Sequence, residues 1–182
     1  MIVAALVIVK YSRDSKSKSN SLPRSTITSQ EQPISSLPTV EHDIFISYAS
    51  EDKPIADAIC NTLESQRIRC WISPRDILPG LKYQEAIIDA IDKSSIMVLV
   101  FSSHSNTSPH VLSEVTEAMS KEVIIIPFRI EDVLPSKAMK YLINVPHWLD
   151  AITPPLEKHI DELSKTIHVI VNQKKSTQPD QE

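Results

Sequence analysis

The sequence predicts an α/β fold in which a five-stranded parallel sheet lies between two layers of helices. Short β-rich runs alternate with helical patterns of about 10–15 residues, which is the arrangement of consecutive βαβ units. Two of the strands, at residues 95–101 and 123–128, are apolar without alternation, as expected for strands covered on both faces. Five strands and about five helices within roughly 130 residues fit a compact three-layer domain.

Five strand-like segments are separated by turn and helix signals. The first is followed by Ser50 and Asp52, either of which can cap the next helix. In the fourth, Pro127 stands near the end of the strand, where a missing backbone N–H is tolerated. The predicted strands cover residues 43–48, 68–72, 95–101, 123–128 and 145–149, the last as a short edge strand.

Helical periodicity marks the segments between the strands. Ile55, Ile59 and Leu63 recur at positions i, i+4 and i+8 and share one face of the first helix. Pro109 suits the first turn of a later helix. Residues 131–143 are expected to form a short, irregular helical segment. The apolar faces of the other helices contain Ala86, Ile87, Ala90 and Ile91; Val111, Leu112, Val115, Ala118 and Met119; and Leu156, Ile160, Leu163, Ile167 and Ile170.

Composition and charge exclude several functional classes. Of 182 residues, 41% are hydrophobic and 23% are charged, which is typical of a globular domain. The net charge of -4 argues against nucleic acid as a partner, because binding a phosphate backbone needs clustered positive charge. The single glycine, Gly80, excludes the Walker A and GxGxxG nucleotide-binding loops. Cys60 and Cys70 lie in no CxxC or CxxH pair, so we expect no zinc site and favour a reducing, cytoplasmic compartment.

The two ends of the chain differ in composition from the segment between them. Residues 1–9 are apolar, but a membrane-spanning helix needs about 20 such residues, so we expect no membrane partner. An N-terminal anchor, or secretion as an effector, stays open as the alternative. Residues 11–40 are rich in serine, which predicts a disordered linker. We therefore place a short apolar start and linker at residues 1–40, the folded domain at 41–172 and a polar tail at 173–182.

Three segments of the chain resemble the conserved boxes of one family, the Toll/interleukin-1 receptor (TIR) domain of bacterial or archaeal type. Residues 43–52 resemble the first box, and residues 69–72 leading into 74–80 resemble the second. Residues 128–150 are similar to the last strand region of bacterial members. The resemblance implies a flavodoxin-like fold with a five-stranded parallel sheet. It also implies one of two functions, since some members are signalling scaffolds and others cleave NAD+ at the nicotinamide–ribose bond.

Glu114 falls where the enzymatic members carry a glutamate, in the helix after the third strand. Breaking an N-glycosidic bond builds positive charge on the ribose, which one carboxylate can stabilise. Nicotinamide leaves from a pyridinium without being protonated, so a general acid is dispensable. The resemblance thus implies that Glu114 is catalytic, and the alternative is a surface glutamate like Glu117, three residues further on.

His110 marks a departure from the family, because enzymatic members often carry a tryptophan four residues before the glutamate. Positions i and i+4 share a helix face, so His110 can face the same ligand, with less surface to stack but a hydrogen bond to donate. The alternative is a surface residue at the start of the helix. Since His104 and His110 lack carboxylate or thiolate partners at ligand spacing, no metal site is predicted.

The resemblance also implies nucleotide contacts at the end of the first strand and in the second-box loop, which comprises residues 73–82. For Ser47 and Tyr48 the alternative is hydrogen bonding to nearby backbone, and for Trp71 it is packing in the core. Lys53 and Arg75 have the charge to meet a pyrophosphate, or they are solvated surface cations. The candidate substrate-binding residues are Ser47, Tyr48, Trp71, Ile77, Pro79, Gly80 and His110.

Two functions remain open on this reading. In the first, NAD+ is the substrate, no bound cofactor is required, and the products are nicotinamide and ADP-ribose or a cyclic variant. In the second, a non-enzymatic module signals by binding other TIR domains or interferes with host TIR signalling. Ile77, Leu78 and Pro79 predict an apolar loop tip that needs a partner, and Gly80 permits unusual backbone dihedrals there. We expect self-association through this loop, and the resemblance implies a setting in prokaryotic defence or signalling.

Overall fold

A computed structural model describes residues 42–80, 82–143 and 148–177, and within them five parallel strands form one sheet. The spatial order is β2-β1-β3-β4-β5, as the flavodoxin-like prediction requires. The strands are β1 Ile44–Ser47, β2 Cys70–Ile72, β3 Ile96–Phe101, β4 Ile124–Arg129 and β5 Leu149–Asp150.

The strand order creates a crevice where the winding of the chain reverses. Ile46 of β1 is in register with Ile72 of β2 on one side and with Val98 of β3 on the other. The connections after β1 and β3 therefore leave the sheet in opposite directions. In open parallel sheets, ligands bind at the carboxyl ends of the strands at such a reversal.

Helices cover both faces of the sheet, which confirms the predicted three-layer architecture. One face carries the first and last helices, which contact each other, and the other face carries the remaining three. The helices are α1 Lys53–Ser65, α2 Tyr83–Lys93, α3 Pro109–Ser120, α4 Lys137–Leu142 and α5 Leu156–Thr177.

The core has two halves, one on each face of the sheet. Successive side chains of a strand point to opposite faces, so Met97 and Leu99 pack towards α2 and α3, whereas Val98 packs towards α1 and α5. All six residues of β3 are fully buried. Burial on both faces explains why the third strand is apolar without alternation.

The structure corrects several local expectations. Asp52 occupies the N-cap position of α1, but its side chain makes no capping hydrogen bond; its carboxylate instead accepts a hydrogen bond from Ser102, 50 residues away. Met119, predicted on the apolar face of α3, is 42% exposed. The edge strand is Leu149–Asp150. Of the predicted residues 145–149, residues 145–147 lie outside the described part of the chain and Trp148 precedes the strand.

The boundaries of the domain are described in part. Helix α5 continues to Thr177, past residue 172, where we expected the domain to end and the polar tail to begin. The apolar start and linker predicted for residues 1–40, and the end of the tail at residues 178–182, lie outside the described residues. In the part that is described, every helix is too short or too polar to cross a bilayer.

Candidate active site

The centre of the candidate site is a hydrogen bond between Ser47 and Glu114. Ser47 is the last residue of β1 and is 1% exposed. Its Oγ donates to Oε2 of Glu114 on α3 over 2.6 Å. Helix α3 begins at Pro109, with Ser108 as its N-cap accepting a hydrogen bond from the Val111 backbone N–H at 3.4 Å. The start of this helix therefore places Glu114 over the carboxyl end of β1.

Partial burial makes the Glu114 carboxyl group a weaker acid than an exposed glutamate. Loss of solvation raises its pKa to about 7, and the hydrogen bond from Ser47 acts in the opposite direction. Desolvation disfavours the charged form of a carboxyl group, whereas a donated hydrogen bond favours it. Near neutral pH both protonation states of Glu114 are therefore populated. Perturbed titration in a crevice is characteristic of functional carboxylates.

Tyr48 connects the end of β1 to the second-box loop. Its hydroxyl donates a hydrogen bond to the backbone carbonyl of Ser73. The Ser73 hydroxyl in turn lies 2.6 Å from the hydroxyl of Tyr83, the first residue of α2. Burial raises the pKa of Tyr48, so its hydroxyl stays protonated as a donor. These contacts hold Ser73, at the start of the second-box loop, beside Tyr48 at the end of β1.

A second polar cluster occupies the other side of the crevice, at the end of β3. Ser102 Oγ donates to Oδ2 of buried Asp52 over 2.6 Å and accepts hydrogen bonds from the backbone N–H groups of His104 and Ser105 at 3.1 Å. Burial raises the pKa of Asp52, and the Ser102 hydrogen bond opposes this. Sequence reasoning missed this cluster. Polar residues directly after a buried strand were the signal that could have found it.

Of the residues predicted in the second box, some lie in the core and others are exposed to solvent. Trp71 is 7% exposed and stacks on Phe45 with ring centroids 5.0 Å apart, so it packs in the core. Ile77 is half-buried against the same cluster. Leu78, by contrast, is 57% exposed. Pro79 and Gly80 are also exposed, and Gly80 has a φ of +90°, the left-handed conformation that favours glycine.

His110 is exposed at the start of α3, one helical turn before Glu114. The structure thus brings Ser47, Tyr48 and Glu114 together at the carboxyl edge of the sheet. Trp71 and Ile77 instead face the core, and the remaining predicted residues line the exposed loop tip and the start of α3.

The two candidate phosphate-binding cations are engaged in ion pairs. Lys53 Nζ lies 2.6 Å from Asp57 on the next turn of α1. Arg75 binds Glu64 at 2.7 Å and Asp76 at 2.8 Å. The contact with Glu64 fixes the start of the second-box loop against α1, and the contact with Asp76 lies within the loop, so a phosphate would have to compete with both carboxylates.

Metal binding has no cluster of ligands to support it in the described ranges. Across residues 42–80, 82–143 and 148–177, no three side chains of His, Cys, Asp or Glu come together in a metal-binding group. The chemistry available at the crevice is therefore that of hydroxyl groups and carboxylates, with Glu114 half-buried and Ser47 buried beside it.

The strand order, the helices on both faces and the polar crevice beside β1 and β3 define a flavodoxin-like α/β domain. The family model described as TIR domain matches residues 44–164, and the chain belongs to that family. No curated protein sequence matches the chain.

Solved structures show the same fold. The TIR domain of the Toll-related receptor TRR-2 from Hydra magnipapillata is 24% identical, with a TM-score of 0.59 over 70% of this chain and 98% of that one. The TIR domains of the activated Roq1 resistosome, which recognises the pathogen effector XopQ, are 19% identical, with a TM-score of 0.61 over 69% and 99%. Clostridium botulinum CMP N-glycosidase BcmB is 16% identical, with a TM-score of 0.53 over 68% and 98%.

Proposed function

We propose that this TIR domain is an NAD+ nucleosidase that cleaves the nicotinamide–ribose bond in a defence or signalling role. The observation that carries the proposal is the Glu114 carboxyl group, held by the buried Ser47 hydroxyl at the crevice. A partly buried carboxylate in this position matches what N-glycosidic cleavage requires, because positive charge develops on the ribose C1 and ring oxygen.

The proposed mechanism uses the ionised form of Glu114. As the bond between C1 of the ribose and the pyridinium nitrogen breaks, its electron pair leaves with nicotinamide, which departs neutral. The carboxylate stabilises the oxocarbenium ion or holds the ribose hydroxyl groups. Water then attacks C1 and releases a proton to solvent to give ADP-ribose, or a nucleophile within the same molecule attacks C1 to give a cyclic product. Ser47 orients the carboxylate and, through its hydrogen bond, favours the ionised state.

The TIR fold is compatible with this class of reaction. BcmB, which shares the fold, is by its name a CMP N-glycosidase, so its bond is also an N-glycosidic one. The proposal that NAD+ is the substrate of this domain rests on the resemblance of its motifs to those of the family and on Glu114. The proposed reaction requires no bound cofactor.

Nicotinamide release tests the proposal. Purified full-length protein at several concentrations is mixed with NAD+, and the wild type is compared with Glu114→Gln. Glu117→Gln is the matched control, because Glu117 lies one turn further along α3. We expect Glu114→Gln to lose activity by about 100-fold or more and the control to retain it. Equal turnover in both variants, or no release at the highest wild-type concentration, would contradict the proposal.

A second candidate function is that of a non-enzymatic interaction module. The observation that favours it is Leu78, a large apolar side chain 57% exposed at the tip of the second-box loop. We propose that this tip binds a second copy of the domain or another TIR domain. Assembly and catalysis are compatible if the loop completes the site between subunits. Specific activity that rises with protein concentration indicates such a shared site, whereas a self-contained site gives constant specific activity.

A further inference from the structure

The two cysteines lie together beneath the second-box loop. Cys60 on α1 is 2% exposed and Cys70 on β2 is 7% exposed, and both belong to the same half of the core. Both are free thiols. The Cys70 thiol donates to the Ile68 carbonyl oxygen at 3.7 Å, and the guanidinium group of Arg75 contacts both cysteine residues, which places them beside each other.

Arg75 makes the two thiols chemically unequal. Its Nη1 donates to Cys60 Sγ at 3.3 Å, and its Nη2 donates to the Cys70 carbonyl oxygen at 2.9 Å. The hydrogen bond from Cys70 and the charge of Arg75 lower the pKa of Cys60, against the effects of burial and of Glu64. The bond to Cys60 and burial raise the pKa of Cys70. A thiolate is the nucleophile in cysteine chemistry, so Cys60 is the reactive member of the pair.

Arg75 also links the buried pair to the surface. The arginine side chain is 44% exposed while it contacts the sulfur of buried Cys60, so a single side chain connects this thiol with solvent. Its other ionic partners, Glu64 and Asp76, lie on α1 and in the loop itself. The thiols are therefore positioned where Arg75 anchors the loop, in the half of the core that contains α1 and α5, whereas α3 with Glu114 covers the other face of the sheet.

We propose that Cys60 and Cys70 form a thiol oxidation site, which a hydroperoxide such as hydrogen peroxide converts to an intramolecular disulfide with Cys60 as the attacking residue. The Cys60 thiolate attacks one peroxide oxygen, so that an S–O bond forms, the O–O bond breaks and hydroxide leaves as water after taking a proton. Cys70 sulfur then attacks the sulfur of the Cys60 sulfenic acid, so that the S–S bond forms, the S–O bond breaks and the departing hydroxide takes the Cys70 proton to leave as the second water. Two thiols are oxidised by two electrons, and one peroxide is reduced to two waters.

Oxidation weakens one hydrogen bond of Arg75, because a disulfide sulfur is a poorer acceptor than the sulfur of a free cysteine. The arginine keeps Glu64, Asp76 and the Cys70 carbonyl oxygen as partners. A dithiol reductant restores the original contacts, because thiol–disulfide exchange returns both sulfurs to thiols.

Peptide mapping of the full chain tests the proposal without reference to catalysis. Reduced protein is exposed to hydrogen peroxide, unreacted thiols are alkylated, and the protein is digested without reductant. Trypsin cuts after Arg67 and Arg69, between the two cysteines, so a disulfide joins two separate peptides. We expect the joined peptides to be the main oxidation product within single chains and to separate on reduction with dithiothreitol. Disulfides between chains, or two alkylated thiols after peroxide treatment, would overturn the proposal.

Single-cysteine variants test the order of attack. In Cys70→Ser, the Cys60 sulfenic acid has no partner and should react with dimedone, a reagent selective for sulfenic acids. In Cys60→Ser, labelling of Cys70 should be about tenfold lower, since a buried thiol without a cationic neighbour is less reactive. Equal labelling of the two variants would refute Cys60 as the nucleophile. The wild-type peptide map tests disulfide formation independently, even if one variant folds poorly.

Discussion

The buried hydroxyl of Ser47 donates a 2.6 Å hydrogen bond to Glu114, and this bond joins residues 67 positions apart at the crevice between β1 and β3. The two residues of this bond lie in different environments. Ser47 is part of the sheet, whereas Glu114 projects from α3 and loses part of its hydration, which raises its pKa to about 7. The pair therefore couples the geometry of the sheet to the charge of the carboxyl group.

The first prediction concerns the pH dependence of NAD+ cleavage. If the ionised Glu114 is required, kcat/KM should rise with pH through a midpoint near 7. Ser47→Ala removes the donor that favours the carboxylate, so the midpoint should move upward by about one pH unit. Activity at pH 7 should then fall and partly recover at higher pH. The measurement is the pH profile of nicotinamide release for both proteins.

Ser113→Ala is the matched control for this experiment. Ser113 is next to Glu114 in the chain, but it is exposed and its hydroxyl donates to the Pro109 carbonyl oxygen at 2.9 Å. Its profile should follow the wild type, and Ser47→Thr should restore part of the original midpoint because it keeps a hydroxyl. A Ser47→Ala profile lowered equally at every pH would show that Ser47 does not tune the acidity of Glu114.

The second prediction concerns stability. The folded-state pKa of Glu114, about 7, lies above the ordinary value of 4.5, so the folded protein binds more protons than the unfolded chain between these values. The free energy of unfolding contributed by this group therefore falls as pH rises from 4.5 to 7. Glu114→Gln should abolish this dependence. Relative to wild type, the variant should gain about 3 kcal/mol between pH 4.5 and pH 8.

Denaturant unfolding of wild type and Glu114→Gln across this pH range measures the difference. Glu117→Gln again provides the control, and its stability relative to wild type should change little with pH. If the difference between Glu114→Gln and wild type is constant from pH 4.5 to pH 8, then Glu114 titrates as an ordinary surface carboxylate.

The fold could be predicted from the sequence because its signals are local. The uninterrupted apolar run of residues 96–101 requires cover on both faces, and the i, i+4, i+8 pattern of α1 specifies which side faces the sheet. Each of these signals is contained in one element. The flavodoxin-like parallel sheet was implied by the family resemblance, and the position of β1 between β2 and β3 confirms it.

The candidate site could be predicted only in part because its contacts are not local. The helix of Glu114 was identified from its motif, but no pattern within one element reports a bond to Ser47. Asp52 illustrates the same limit: its place before α1 predicts a cap, yet its carboxylate accepts a hydrogen bond from Ser102, which directly follows β3, 50 residues further along the chain. Arg75, likewise, is bound by carboxylates that only the fold brings together.

The third prediction concerns assembly through the second-box loop. Leu78→Asp places a charge on the exposed tip, and burying that charge in an interface is costly, so self-association should be lost. If the active site is shared between subunits, specific activity should also stop rising with protein concentration. Sedimentation velocity and nicotinamide release across the same concentrations measure both effects.

Leu134→Asp is the matched control, since Leu134 is 85% exposed but lies outside this loop. It should assemble and turn over NAD+ as the wild type does. Equal assembly of Leu78→Asp and wild type would exclude the loop tip as the interface, and loss of assembly in both variants would indicate that exposed apolar surface in general drives association.

The fourth prediction separates two roles of Tyr48, substrate contact and support of the loop. Its hydroxyl is already used by the Ser73 carbonyl, so Tyr48→Phe should mainly release the second-box loop. The free energy of unfolding should fall by about 1 kcal/mol, the usual contribution of one hydrogen bond. The backbone amides of Asp76 and Ile77, which donate to Ile72 and Pro74, should exchange faster with solvent.

Tyr141→Phe, at a side chain 81% exposed on α4, is the matched control and should change neither the free energy of unfolding nor the amide exchange. If instead Tyr48→Phe leaves amide exchange unaltered and raises only the KM for NAD+, the hydroxyl acts on the substrate, and the support of the loop must come from the ion pairs of Arg75.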